Sequence, residues 1–183
     1  MKIDKLWNGL KRIDNGDYVL EGDLISEETI EIDLDDRFVV RGRIQTKKSI
    51  VVRYGIEAGW GIEAGEGIKA GWGIEAGWGI EAGCGIKAGW GIEAGWGIEA
   101  GCGIEAGEGI KAGWGIEAGW GIKAGWGIEA KKFIDVKKRI FAGISIYRTS
   151  KDCDKTIRCA ELRNGEICYG DLTLTKEAKP DEG

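Results

Sequence analysis

The central part of the chain repeats a six-residue pattern of apolar and polar positions. From Gly55 to Ala130 the sequence reads G-I-(E/K)-A-G-x, where x is mostly Trp and otherwise Glu or Cys. In an extended chain, Ile and the Ala two positions later lie on one side, and the charged residue between them lies on the other. The pattern predicts a three-residue strand, I-(E/K)-A, followed by a G-x-G corner, because glycine lets the backbone bend or take a positive φ at little cost.

A spacing of six residues is incompatible with a long helix. Six residues advance about 600° around a helix, so successive isoleucines would point to three different faces. Two glycines per repeat would cost a helix roughly 1 kcal/mol each relative to alanine. Disorder is also disfavoured, because disordered chains are poor in isoleucine and tryptophan. We therefore expect an all-β, single-stranded β-solenoid, in which each strand pairs with the strand one turn away at about 4.8 Å.

The apolar register extends beyond the perfect repeat in both directions. In steps of six residues it continues backwards to Ile32 and forwards to Ile146. The predicted organisation is an N-terminal cap over 1–31, a solenoid over 32–146, a C-terminal β-hairpin cap over 147–175 and a flexible tail over 176–183.

Both caps carry local signals. Residues 2–13 have apolar positions at helical spacing, which predicts a short amphipathic helix. Near the other end, Asn164 and Gly165 stand between alternating runs, which predicts a hairpin of strands 156–162 and 166–174. Caps are expected because the terminal turns of a solenoid expose unpaired strand edges.

Eighteen residues per turn, with three strands and three corners, sorts the variable positions better than twelve residues per turn. With eighteen, one corner column is purely Trp and one strand column is purely Glu. The candidate partner-binding residues are the members of these columns: Trp60, Trp78, Trp96, Trp114, Glu63, Glu81, Glu99 and Glu117. Exposed aromatic patches commonly mark interfaces. The alternatives are that the tryptophans cover the backbone of the glycine corners and that the carboxylates form a solvated face.

The eighteen-residue turn resembles the left-handed β-helix built from hexapeptide repeats. Ile56 and Glu57 fit the first two positions of that family's pattern, an aliphatic residue followed by Gly, Ala, Glu or Asp. Trp60 departs from the small residue at its fifth position, which leaves the handedness open. The acyltransferases of that family rely on histidine, and the chain contains none, so the resemblance does not imply their activity.

The composition argues against catalysis. The absence of histidine among the 183 residues removes the usual general base and the commonest metal ligand. The five cysteines lack the paired C-x-x-C spacing of zinc sites, although Cys84 and Cys102 would lie on adjacent turns within disulfide distance. The sequence contains no phosphate-binding loop or nucleophile elbow. We predict a protein that is not an enzyme and that has no cofactor or metal.

Charge and hydropathy narrow the expected partners. Residues 55–130 carry eleven Glu and four Lys, and basic stretches flank this acidic waist. A leader-like apolar segment and an apolar stretch of about 18 residues are both missing from the sequence, so we expect no membrane partner. Reduced thiols and a cytoplasmic location, in a bacterial host cell, follow as expectations.

The sequence favours a non-enzymatic protein whose regular surface docks on a macromolecular partner. Its G-I-(E/K)-A-G-x arrays resemble those of bacterial and phage proteins, which implies an inhibitor of a bacterial defence system, such as an anti-CRISPR protein. A protein partner is expected, and direct binding of nucleic acid is not, although the acidic waist could mimic nucleic acid. Two alternatives stay open: a self-assembling homo-oligomeric scaffold that resembles the bactofilins, and a glycan-binding aromatic ladder.

Overall fold

The chain forms an all-β solenoid. A computed structural model describes residues 1–144 and 154–175, which contain twenty-five strands and no helix. The strands wind through about eight stacked turns, here called coils. Accordingly, the described residues offer no helix with the length and hydrophobicity that a membrane crossing requires. The predicted β-solenoid built from hexads is confirmed.

Each coil of the perfect repeat contains three strands. Ile62 pairs with Ile80 in a parallel, in-register arrangement, a separation of 18 residues that recurs throughout the repeat. The ladder continues through the corners, where the backbone N–H of Trp78 donates to the carbonyl of Trp60 at 3.0 Å. Because strands and corners both satisfy their backbone groups in the neighbouring coils, the stack needs no helix or second sheet to close it.

The strands occupy three faces of a prism. Face 1 contains Leu24–Ser26, Ile44–Thr46, Ile62–Ala64, Ile80–Ala82, Ile98–Ala100, Gly115–Ala118 and the first part of Phe133–Ala142. Face 2 contains Lys2–Ile3, Ile30–Ile32, Ile50–Val52, Ile68–Ala70, Ile86–Ala88, Ile104–Ala106, Ile122–Ala124 and the second part of Phe133–Ala142, and Glu161–Tyr169 pairs with that last strand. Face 3 contains Lys11–Arg12, Tyr18–Leu20, Phe38–Val40, Ile56–Ala58, Ile74–Ala76, Ile92–Ala94, Ile110–Ala112, Ile128–Ala130, Thr156–Cys159 and Asp171–Leu174.

The core is one continuous cluster along the axis of the prism. In every strand of the perfect repeat the Ile and the Ala are buried and the charged residue between them points outward, as in Ile80–Ala82. Isoleucine stacks on isoleucine and alanine on alanine in successive coils. Because each coil contacts only its neighbours, one monotonous sequence can serve every coil.

The first coils are longer than the repeat. Ile30 pairs with Ile50, a step of 20 residues, and Ile32 pairs with Val52. Ile32 therefore occupies the position of the repeat alanine, and its predicted place in the isoleucine column is wrong. The two extra residues lie before Phe38, in a corner that buries Leu34. Counting back six residues from Phe38 therefore reaches the alanine position of the preceding strand instead of its isoleucine position.

The helix predicted over residues 2–13 is absent. Lys2–Ile3 pairs in parallel with Ile30–Ile32, and Lys11–Arg12 pairs antiparallel with Tyr18–Leu20. The apolar stripe of the predicted helix is not buried as a unit, since Leu6 is 93% exposed. An isolated helix of this length is marginal in water, whereas the edge of the first coil offers unpaired backbone groups, so strand pairing prevails.

The β structure predicted for the C-terminal cap is confirmed, and its strands run parallel to the coils beneath them. Thr156–Cys159 lies between Ile128–Ala130 and Asp171–Leu174, and it pairs with both. Glu161–Tyr169 pairs with Phe133–Ala142.

The turn predicted at Asn164 and Gly165 does not form, because both residues lie inside the strand Glu161–Tyr169. Ile157 and Cys159 are fully buried and extend the core, so pairing with the last regular coil outweighs the local hairpin signal. The predictions that concern Ile146 and the tail 176–183 fall outside the described residues.

Candidate functional site

All eight candidate residues line a single groove on face 1. We call Trp60, Trp78, Trp96 and Trp114 the tryptophan column and Glu63, Glu81, Glu99 and Glu117 the acidic column. The tryptophan column lies at the corner where the chain passes from face 3 to face 1, and the acidic column occupies the outward position of the face 1 strands. The groove between them has a volume of about 440 Å³, and its floor consists of the repeat glycines and isoleucines.

The acidic column is a direct consequence of the 18-residue coil. Glu63 pairs with Glu81, Glu81 with Glu99, and Glu99 with Glu117. Asp135 continues the column on the next coil. Parallel strands are about 4.8 Å apart, so consecutive carboxylates are held at the distance of one coil.

The tryptophan column combines stacking with exposure. Trp60 stacks on Trp78 with ring centroids 5.9 Å apart, and Trp96 stacks on Trp114 at 5.2 Å. The four side chains still expose 61%, 64%, 59% and 42% of their surface in sequence order. The indoles therefore support one another along the corner and also present a large aromatic surface to solvent.

Most of the acidic column lacks an ion pair within residues 1–144 and 154–175. Among the described residues, no basic side chain forms an ion pair with Glu81, Glu99 or Glu117. Burial, and after it repulsion from Glu99 and Glu63, raises the pKa of the Glu81 carboxyl. On face 2 the opposite holds for Glu105, whose pKa is lowered mainly by a hydrogen bond from Lys87 and further by Lys123.

We expect Glu81→Gln to raise the melting temperature at about pH 7. Because the folded-state pKa of Glu81 is raised, ionisation of this carboxyl destabilises the fold above that pKa, and the penalty disappears as the pH falls through it. The gain over the wild type should therefore shrink between about pH 7 and pH 4. Thermal unfolding followed by circular dichroism measures both quantities.

Glu105→Gln is the matched control for this experiment. The pKa of Glu105 is lowered, so its ionised form stabilises the fold above its ordinary pKa and loses that contribution in acid. The control should lower the melting temperature at about pH 7. A lower melting temperature for Glu81→Gln as well would contradict the repulsion inferred for the acidic column.

Face 2 carries a basic column that is not among the predicted site residues. Lys69 pairs with Lys87, and Lys123 lies two coils further on, beyond Glu105. Together with Lys137, Lys138 and Arg139 they line a groove of about 1200 Å³. The recurrence of lysine at multiples of 18 residues was the signal that could have identified this face.

Face 3 carries mixed charges. Its groove, of about 740 Å³, is lined by tryptophans, by glutamates and by cations at both ends. Arg37 forms an ion pair with Glu57 at 2.9 Å, and Lys111 forms one with Glu93 at 3.5 Å. On face 1, by contrast, the tryptophan column and the acidic column run side by side, and neither is interrupted by another type of residue.

The corner between faces 1 and 2 contains the two cysteines of the repeat. Cys84 and Cys102 lie on adjacent coils as free thiols, and the N–H of Cys102 donates to the carbonyl of Cys84 at 2.8 Å. The neighbouring Cys102 raises the pKa of the Cys84 thiol, followed by a smaller effect of burial. Such a thiol is a weak nucleophile near neutral pH, because the thiolate is the reactive form.

Neither metal chemistry nor similarity to known proteins adds a function to this geometry. Over residues 1–144 and 154–175, no group of three or more Cys, Asp or Glu side chains is placed to hold a metal ion. The chain matches no family model, no curated protein and no solved structure. The charge and shape of the three faces are thus the basis for assigning a function.

Proposed function

We propose that the chain is a non-enzymatic binding protein whose face 1 groove docks on a basic surface of a macromolecular partner. The observation that supports this proposal is the acidic column, which runs in register beside the exposed tryptophan column and in which Glu81, Glu99 and Glu117 form no ion pair with a described basic residue. Carboxylates held one coil apart repel one another, so a cationic partner relieves that repulsion as it binds.

The tryptophan column and the acidic column both attract cationic side chains. Tryptophan is enriched among the residues that contribute most to protein interfaces, and its ring face attracts Lys and Arg side chains. The chain contains an instance of this contact, since the Nζ of Lys132 lies 5.6 Å from the ring centroid of Trp114. A basic partner would place its cations between the indoles and the carboxylates of the same groove.

The rigid backbone of the groove favours binding. Its strands and corners belong to a continuous hydrogen-bonded ladder, so little backbone freedom remains to be lost when a partner docks. Fixed carboxylates also resemble the phosphates of a nucleic acid in charge, and the suited partner surface is one that otherwise binds nucleic acid. An inhibitor of a bacterial defence system, such as an anti-CRISPR protein, would act in this way, and this narrower proposal derives from the resemblance of the repeat.

Binding of a basic ligand is expected to depend on both columns of face 1. A fluorescently labelled oligolysine peptide serves as the probe, and its anisotropy reports binding at low salt. E81Q/E99Q removes two negative charges, and W78S/W96S removes two aromatic rings. Each double variant should weaken binding by about tenfold or more.

The matched control is E75Q/E93Q, which removes two stacked carboxylates from face 3. It should leave the affinity of the peptide within about twofold of the wild type. Equal losses from the face 1 and face 3 variants would mean attraction to the overall negative charge, and the docking proposal for face 1 would then be wrong.

The exposed tryptophan column also suits a glycan, because sugar rings pack against aromatic faces. A panel of neutral oligosaccharides distinguishes this second candidate from docking of a basic partner. Binding that is abolished by W78S/W96S and unaffected by E81Q/E99Q would favour the glycan ligand.

A further inference from the structure

Face 2 presents the charge opposite to that of face 1. Six basic side chains and two acidic ones line its groove. Lys69 and Lys87 occupy the same outward position on face 2 that Glu63 and Glu81 occupy on face 1. One molecule therefore displays two regular faces of opposite charge on a single prism.

We infer that face 1 of one molecule docks on face 2 of a second copy of this chain. The inference rests on the proposed function, since it uses the face 1 groove and names the basic surface that the groove takes. It differs from end-to-end polymerisation of a solenoid, because the contact runs along the sides of the two prisms and leaves their terminal coils free.

The spacing of the two faces supports a second copy as the partner. The outward positions of both faces repeat once per coil, at about 4.8 Å, so facing positions remain in register along the interface. A stretched peptide presents side chains on one face about 6.8 Å apart, and duplex DNA repeats every 3.4 Å per strand, so neither follows the columns for long. Another stack of parallel strands has the matching repeat.

The positions of the charges suit parallel alignment of two molecules. Glu63, Glu81 and Glu117 lie on the same coils as the outward lysines of face 2, which are Lys69, Lys87 and Lys123 respectively. The fourth carboxylate, Glu99, shares its coil with Glu105. That residue is already ion-paired with Lys87 at 3.0 Å and with Lys123 at 3.5 Å, so its charge adds little repulsion, and in the contact these two lysines would be shared between Glu105 and the carboxylates of face 1.

The area available is sufficient for a specific contact. The seven coils that carry a face 1 strand, at about 4.8 Å each and with a face about 15 Å wide, give about 500 Å² per molecule. The total of about 1,000 Å² is close to the minimum expected of a specific protein interface. Because the contact joins two different faces, one molecule of a dimer keeps an unused face 1 and the other keeps an unused face 2. Association is therefore expected to continue beyond a dimer.

Charge reversal on each face tests this inference. Light scattering coupled to size-exclusion chromatography, at low salt and about 100 µM protein, should give the wild type a mass above that of a dimer, and about 0.5 M NaCl should return it to the monomer. E81K/E99K and K69E/K87E should each be monomeric at low salt. An equimolar mixture of these two variants should associate again, because each then offers the charge that the other has lost.

Several outcomes separate the inference from the proposed function. E75K/E93K makes the same charge reversal on face 3 and should associate as the wild type does, and far-ultraviolet circular dichroism checks that all variants are folded. A wild type that stays monomeric at every concentration and still binds oligolysine through face 1 overturns the inference and leaves the proposed function standing. Failure of the mixture to associate, or loss of association in the face 3 control, also overturns it.

Discussion

Gly95→Ala is expected to lower the free energy of unfolding by about 3 kcal/mol, whereas Gly97→Ala should change it by less than about 1 kcal/mol. The two positions flank the same corner residue, Trp96, and differ in what an added methyl group would meet. A Cβ atom at Gly95 would overlap the carbonyl oxygen of Gly77 in the preceding coil. A Cβ atom at Gly97 would lie 3.5 Å from the carbonyl oxygen of Gly115, which is an ordinary contact.

The overlap at Gly95 cannot be relieved locally. Its N–H donates to the carbonyl of Ala76 at 3.0 Å, and Trp96 donates to Trp78 at 2.9 Å, so the corner is held against the preceding coil on both sides. Moving the backbone away from Gly77 would stretch these hydrogen bonds. Denaturant unfolding of both variants, followed by circular dichroism, measures the difference. Similar losses at Gly95 and Gly97 would show that close approach of the coils is not the reason for glycine at this position.

Ile98→Ala is expected to lower the free energy of unfolding by about 3 to 4 kcal/mol, within the range for truncating a buried isoleucine. Ile98 is 1% exposed and stacks between Ile80 below and Ile116 above. A solenoid has a thin core, and the residues above and below are fixed by their own hydrogen bonds. The cavity left by the truncation therefore cannot close easily, and its cost adds to the lost burial.

The control for this variant is Ile25→Ala, which truncates an isoleucine at the outward position of face 1. Ile25 is 49% exposed, so the expected loss is below about 1 kcal/mol. Hydrogen exchange of the two variants gives a second measurement, with faster exchange expected near Ile98 alone. Equal destabilisation by the two substitutions would contradict the stacked isoleucine core.

The candidate site could be located from the sequence because its columns follow from periodicity alone. Once a coil contains 18 residues, Trp60 and Trp78 must occupy the same corner on successive coils, and Glu63 and Glu81 the same strand position. The basic column of face 2 follows from the same periodicity, with a single interruption at Glu105. The stacking of the indoles, their exposure to solvent and the repulsion among the carboxylates could be read only from the structure.

The role of the repeat glycines shows where sequence reasoning ends. Their pattern suggested corners that bend or need a positive φ, yet every glycine with a positive φ lies outside the repeat, as at Gly22 and Gly143. Where a glycine follows the alanine inside the repeat, as at Gly77 and Gly95, the preceding coil passes too close for a Cβ atom. Such an approach depends on a residue 18 positions away, so local sequence cannot reveal it.

The sequence by itself determined the parts of this protein that repeat: a β-solenoid of hexads, with Ile and Ala inward and charge outward. It could do so because each coil contacts an identical neighbour, so local pattern and tertiary contact carry the same information. Only the tertiary structure decided the ends: the strand at residues 2–3, the shifted place of Ile32 and the strand through Asn164. There the repeat stops, and pairing with the exposed edge of the adjacent coil, a contact distant in sequence, outweighs local helix and turn preferences.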